Sequence, residues 1–303
     1  MASSAQAAPL NVVATTGMIA DIVRSVGGDA VVVETLIPTG VDPHGFTPGR
    51  GDVVRLRRAE VIFYNGLLLE GRMSDLLARM GRQGRVTVVA VADELRDTEA
   101  YAAAKDDEGE WDPHLWMDVG AWREAVSVVE RVLAAKRPAK AAVFAANAKT
   151  YRGELDALDA YVRSIVATIP QESRVLVTAH DAFGYFGRAY GLEVRGIQGI
   201  STESEPGVRD LENLIAFVVR RQVPAIFLET SVPDRNARAL IEGARAQGHQ
   251  VRIGGRLFSD SMGLPGTYTG TYLGMIDHNA TTIVRSLGGQ APERGRLGKL
   301  ELP

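Results

Sequence analysis

The tripeptide Asp-Pro-His occurs twice in this chain, as Asp42-Pro43-His44 and Asp112-Pro113-His114, although all 303 residues include only five histidines. Proline locks its own φ near −65° and drives the preceding residue towards extended backbone. Each histidine therefore leaves a stiffened turn in a defined direction, and little entropy is lost in fixing it as a ligand. Two imidazoles held this way suit a metal ion. A third, His180, follows the apolar run VLVT inside TAHDAFGYF, at the carboxyl end of a strand, where open α/β sheets place their ligands. Asp260, in LFSDSMG after a strand expected to end at Ile253, is the fourth candidate. His249, beside Gly248, and His278, inside a helical pattern, lack such settings and are expected to be structural.

Three neutral imidazoles and one carboxylate, with no thiolate, favour a first-row transition ion over calcium or magnesium, which prefer all-oxygen shells. A monodentate Asp260 would complete the tetrahedron zinc prefers, and a bidentate one would give the five-coordination manganese accepts. The residues alone leave that denticity open. Glu229, ending an apolar strand, is either a partner that orients a ligand histidine or a surface glutamate. Asp42 and Asp112 either accept the second ring N–H of a ligand or hold their turns. Trp111, Trp116 and Trp122 are expected to shield the site and pack the lobe. The rival reading is a zinc-dependent hydrolase with an open three-histidine site and Glu203, Glu205 or Glu229 as base. Against it, a fourth ligand from Asp260 leaves no place for activated water, and no His-Glu-x-x-His motif or nucleophile elbow is present. A receptor for an organic ligand would not need converging histidines.

The elements that must position these residues read as an α/β protein: short β-branched runs alternate with helical patterns, as in parallel sheets covered by helices. Strands are expected at 11–15, 31–37, 61–64 and 86–91, then at 174–178, 193–197, 225–228 and 250–253. Helices are expected at 18–26, 53–59 and 121–136, then at 208–221, 234–247 and 271–287, with Asp52 and Asp118 as N-caps. Between Pro138 and Pro170 only Gly153 interrupts a helix-forming composition, which predicts one long rigid helix. The expected organisation is two lobes, 1–137 and 171–303, each with a mainly parallel sheet covered by helices, joined by the helix 138–170. A single rigid connector would restrict closure.

Composition narrows the partners. A formal net charge of −3 supplies no bulk attraction to nucleic acid or an anionic membrane. The absence of cysteine removes disulfides, thiolate sites and a lipid-modified cysteine from these residues. No run of about 18 apolar residues could span a bilayer. The first nine residues, MASSAQAAP, contain an Ala-Gln-Ala of the kind found at signal-peptidase sites, consistent either with an exported protein lacking its leader or with an unstructured N-terminus.

DPHGF, WDPHLWMD, TAHDAFGYFGRAYG and LFSDSMG stand in this order, joined by VIFYNGLLLE at 61–70 and AIFLETSVP at 225–233. On these motifs the chain, from about Val12 to Leu287, resembles the TroA-like family, the ZnuA and PsaA type of metal receptors serving ATP-binding-cassette importers. The resemblance implies a monomeric periplasmic solute-binding protein, not an enzyme. It would hold one manganese or zinc ion between two lobes on His44, His114, His180 and Asp260, and deliver it to an inner-membrane permease. Two departures stand out. The run after His44 is Phe46-Thr47-Pro48, without the acidic neighbour many members carry. The segment 97–112 has no histidine-rich stretch but four acids, Asp106, Asp107, Glu108 and Glu110, which are either a metal-gathering loop or a solvated one. The missing histidines tilt the expected cargo towards manganese.

Overall fold

The computed structural model describes residues 8–96 and 111–301. Strands β1 (Leu10–Ala14), β2 (Val31–Thr35), β3 (Val61–Tyr64) and β4 (Thr87–Ala90) form one sheet in the order β2-β1-β3-β4, with every pairing parallel. β3 is a continuous apolar run, and β1 is one from Val12 onward after the exposed Asn11, because both faces of the sheet are covered. Helix α1 (Gly17–Gly27) buries Met18, Ile19, Ile22, Val23 and Val26 on one face. Helices α2 (Arg50–Arg58) and α3 (Ser74–Arg82) bury Leu56, Leu77 and Met80 with Val13 and Ile62 on the other.

In the second half, β5 (Val175–His180) pairs parallel with β6 (Glu193–Gln198), and β7 (Ala225–Glu229) with β8 (Arg252–Leu257). The inner strands β5 and β7 lie against one another. Helices α6 (Gly184–Tyr190), α7 (Val208–Arg220), α8 (Arg235–Ala246) and α9 (Tyr272–Ser286) cover this half.

The halves are joined through α4 (Val119–Lys136) and α5 (Ala141–Val166). Helix α5 has 26 residues, a length of about 39 Å at 1.5 Å per residue. It packs on α1, α4 and α9, so helices from both halves share one apolar layer that includes Trp122, Leu155, Val162, Tyr272 and Ile276. A core continuous across the two halves opposes wide hinge opening, because separation would expose apolar area worth about 25 cal/mol per Å².

Several expectations need correction. The helix expected over 138–170 begins as a 3-10 turn at Pro138–Lys140 and is α-helical only over Ala141–Val166; Gly153 leaves it unbroken. Asp118 caps α4, accepting from Ala121 N at 3.1 Å, but Asp52 is not an N-cap. Gly49 occupies that position, and Asp52 sits at N3, accepting from Gly49 N at 2.7 Å. The strand expected at 250–253 runs over Arg252–Leu257, which brings its end within three residues of Asp260. The sequence reading also lacks the short helices α3 and α6: α3 carries a clear helical periodicity over only 9 residues, and α6 has 7, with burial of Leu77, Met80, Tyr185 and Phe186 holding both in place. The acids Asp106, Asp107, Glu108 and Glu110 lie outside the described residues.

Gly153 is exposed inside α5, and a methyl group there would meet no neighbour within 4 Å. Gly153→Ala should therefore stabilise the protein by about 0.5–1 kcal/mol by lowering unfolded-chain entropy, read as a rise in midpoint in urea with an unchanged slope.

Candidate metal centre

Each of the four candidate ligands is delivered by a segment that follows a strand or precedes a helix. His44 lies in the connection from β2 to α2, and His114 just before the 3-10 turn Leu115–Met117 that leads into α4. His180 is the last residue of β5, and Asp260 follows β8. One ring nitrogen or carboxylate oxygen from each falls within 4.8 Å of all the others, and all four residues are buried.

The shared centre is tight. His114 Nε2 lies 3.4 Å from His44 Nε2 and 3.4 Å from His180 Nε2. Asp260 turns Oδ1 towards His114 Nε2 at 3.3 Å and Oδ2 towards His180 Nε2 at 3.2 Å. Donor atoms around a tetrahedral ion with bonds of about 2.0–2.1 Å stand about 3.3–3.4 Å apart, so the pocket has the size of one transition ion. Apart from these two ring nitrogens, of His114 and His180, neither oxygen of Asp260 has a hydrogen-bond partner among the described residues, although both are buried. An ionised carboxylate buried with so few donors costs several kcal/mol, and a cation among these four residues would offset that cost.

The outward ring nitrogens are held by carboxylates. His180 donates its backbone N–H to Glu229 Oε1 at 2.9 Å, and its Nδ1 lies 2.5 Å from Glu229 Oε2. His114 repeats the arrangement with Asp112, whose Oδ1 lies 2.9 Å from His114 N and 2.8 Å from its Nδ1. A carboxylate can only accept, so both Nδ1 atoms carry hydrogen and both Nε2 lone pairs face the centre once the ring is neutral. Asp42 differs: Oδ1 accepts from His44 N at 2.9 Å, while Oδ2 accepts from the hydroxyl of Thr202 across the cleft.

The surrounding packing joins the halves at the centre. Trp116 stacks edge-on to His114 with ring centroids 5.2 Å apart and donates Nε1–H to Ser259 O at 3.0 Å, one residue before Asp260. Tyr272 donates to Trp116 O at 2.7 Å, Tyr185 to Asp112 O at 3.1 Å, and Gly40 N to Ser261 Oγ at 2.7 Å. Trp122 is fully buried against Tyr272, and Trp111 is half-buried at the edge of the core. The tryptophans pack the lobe and shield the site as expected; no sequence signal announces the Trp116–Ser259 bond, which spans 143 residues.

The other acids and histidines stand apart. Glu203 and Glu205 are exposed, near Arg72 and paired with Arg235 respectively. His249 and His278 bond the carbonyls of Val223 and Arg256 at 2.8 and 2.9 Å, as structural residues do.

Electrostatics without the ion divide the histidines. Burial holds His44 neutral, pushing it down to about 3, with the neighbouring His114 and His180 adding to the effect. Burial pulls His114 down as well, but hydrogen bonds and charge from Asp112 and Asp260 outweigh it and bring the ring to about 9. His180 goes up for the same reason, against burial, through Glu229 and Asp260. Asp260 is held well below the usual carboxylate range by the two histidines, despite burial. A dication that displaces the protons on His114 and His180 therefore replaces like charge with like charge.

A family model described as the periplasmic component A of the zinc-uptake complex matches residues 12–286. The zinc-binding protein TroA of Treponema pallidum is 46% identical over 285 residues, covering 94% of this chain and 91% of its own. The manganese-binding lipoprotein MntA of Bacillus subtilis is 44% identical over 279 residues, covering 92% and 90%. Among solved structures, periplasmic TroA from Treponema pallidum matches with a TM-score of 0.88 at 46% identity, covering 92% of this chain and 99% of that one. Fe(III)-bound YtgA from Chlamydia trachomatis matches at 0.83 and 28%, covering 93% and 99%.

The raised His114 sets the sign of the pH response. Its proton stabilises the metal-free fold fully below the ordinary histidine range and ceases to do so as pH rises through about 9. Metal must displace that proton, so affinity should fall as pH drops from about 9 towards 5, and the melting-temperature gain on adding a fixed metal concentration should shrink in parallel. An affinity flat between pH 7 and pH 5 would contradict this. Glu229→Gln should weaken metal binding about 10- to 100-fold by loosening the His180 ring, measured by competition with a chromophoric chelator.

Proposed function

The chain belongs to the family of periplasmic zinc-uptake component A proteins, and from that premise we propose that His44, His114, His180 and Asp260 hold its cargo, one divalent manganese or zinc ion, between the two lobes. The observation that carries this ligand set is the buried carboxylate of Asp260, which meets no polar group but the imidazoles around it, spaced for a single ion. The protein acts as the solute-binding component of an ATP-binding-cassette transporter, capturing the ion and delivering it to a membrane permease. It works as a periplasmic monomer without nucleic acid, and no helix among the described residues is long and apolar enough to cross a membrane.

Asp260 directs one oxygen to each of two histidines, which supports a bidentate carboxylate and the five-coordination that manganese accepts. The donor spacing suits zinc equally. Intrinsic affinity favours zinc at such a site, so selection of manganese would rest on availability and geometry. We place the lobes at 1–137 and 171–303 with residues 138–170 between them; the shared helical layer supports modest closure on loading.

The protein performs no chemistry on its cargo. A hydrolase would need an open coordination position and a free base. Four protein groups surround this centre, and Glu229, the buried candidate, is already engaged with His180.

Protein purified from its native compartment without chelators should carry about one equivalent of manganese or zinc by elemental analysis, and His180→Ala should lose it. Metal-free protein whose melting temperature ignores added manganese and zinc would overturn the receptor reading.

A further inference from the structure

The loop between β3 and α3 touches both Asp-Pro-His turns. Asn65, fully buried, donates its side-chain amide to Pro113 O at 3.0 Å, the carbonyl immediately before His114. At the other end of the loop, Gly71 runs so close to the first turn that a Cβ there would fall 2.3 Å from the His44 carbonyl oxygen. Two ligands 70 residues apart are thus gauged against one short loop.

The loop's backbone is unfavourable by itself. Gly66, Leu67, Leu68 and Gly71 have φ of +88°, +53°, +64° and +44°, and two consecutive leucines in the left-handed region need something to hold them there. The carboxylate of Glu70 supplies it. Fully buried, it accepts from Asn65 N at 2.6 Å, from Gly66 N at 3.1 Å and from the hydroxyl of Thr15, at the end of β1, at 2.7 Å. Those bonds close the loop on itself and lock it to the central strand of the sheet. Among the described residues Glu70 makes no hydrogen bond or ion pair with any of the four candidate ligands; its carboxylate bonds the backbone of this loop and Thr15.

We propose that Glu70 is a positioning residue for metal binding, setting His44 and His114 in register through the loop 65–71. The inference rests on the ligand set proposed above. It assigns the buried acid a task at a distance: by fixing Asn65 it fixes Pro113 O and thereby the start of the second turn, and by fixing Gly71 it fixes the wall against which the first turn rests. Loss of the carboxylate would let the two imidazoles drift relative to one another while His180 and Asp260, held by the other half, stay in place.

Cobalt(II) is the probe, because its visible absorption reports both affinity and coordination geometry. Wild type, Glu70→Ala, Glu70→Gln and Asn65→Ala would be titrated alongside metal-free melting curves. Glu70→Ala and Asn65→Ala should bind cobalt at least about tenfold more weakly, with a changed band shape. Glu70→Gln, which keeps one acceptor oxygen, should fall between wild type and Glu70→Ala. A lowered metal-free melting temperature with unchanged cobalt affinity and spectrum would reduce Glu70 to a structural residue and overturn the inference. If Glu70→Ala does not fold, wild-type affinity and spectrum in both Glu70→Gln and Asn65→Ala would overturn it equally. Wild-type protein that binds no cobalt would instead count against the receptor reading itself.

Discussion

A buried carboxylate whose only partners are two histidine rings is the constraint around which this protein is arranged. Asp260 sits between His114 and His180 with no other donor at either oxygen, and an anion so placed is tolerable only beside positive charge. Protons on the two histidines supply that charge, and a dication at the candidate site would supply it equally. The carboxylates of Asp112 and Glu229 on the far side of the same rings extend the alternation of charge outward. A dication that displaced both protons would leave the charge of this buried centre nearly unchanged.

Delivering four groups to one point depends on parallel topology. In a parallel sheet all strands end on the same side, and the segments after β2, β5 and β8, one strand from each of three parallel sheets, bring His44, His180 and Asp260 to one region. The interlobe bonds then set the separation: Trp116 to Ser259, Tyr272 to Trp116, Tyr185 to Asp112 and Gly40 to Ser261 all lie within a few residues of a candidate ligand. The two Asp-Pro-His turns, identical in sequence, divide the labour. Asp112 orients its own histidine ring, whereas Asp42 reaches Thr202 in the opposite half, because His44 stands at the cleft edge and His114 in the interior.

The apolar layer of α1, α4, α5 and α9 gives this arrangement its stiffness. Trp122 and Tyr272 pack there against one another, only a few residues from Trp116 and from the loop that carries Asp260. Displacing one half by an ångström would move ligand atoms relative to one another while breaking close-packed contacts, so core packing and metal geometry are coupled.

Local chemistry was legible in the residues. Alternating β-branched and helical runs specify α/β, proline stiffens the two histidine turns, and Asp118 caps its helix, because each of these follows from a residue and its near neighbours. The four candidate ligands could be chosen the same way, by type and by position at strand ends. What the chain could not disclose was set by contacts between distant residues. The 3-10 entry into α5, the extension of β8 to Leu257, the helices α3 and α6, the roles of Asp42 against Asp112, and the buried Glu70 behind a left-handed loop all depend on partners tens to hundreds of residues away. Nor does any periodicity encode a distance of 3.2–3.4 Å between donor atoms. That spacing arises only when two sheets, one shared helical layer and a few cross-cleft hydrogen bonds are satisfied together.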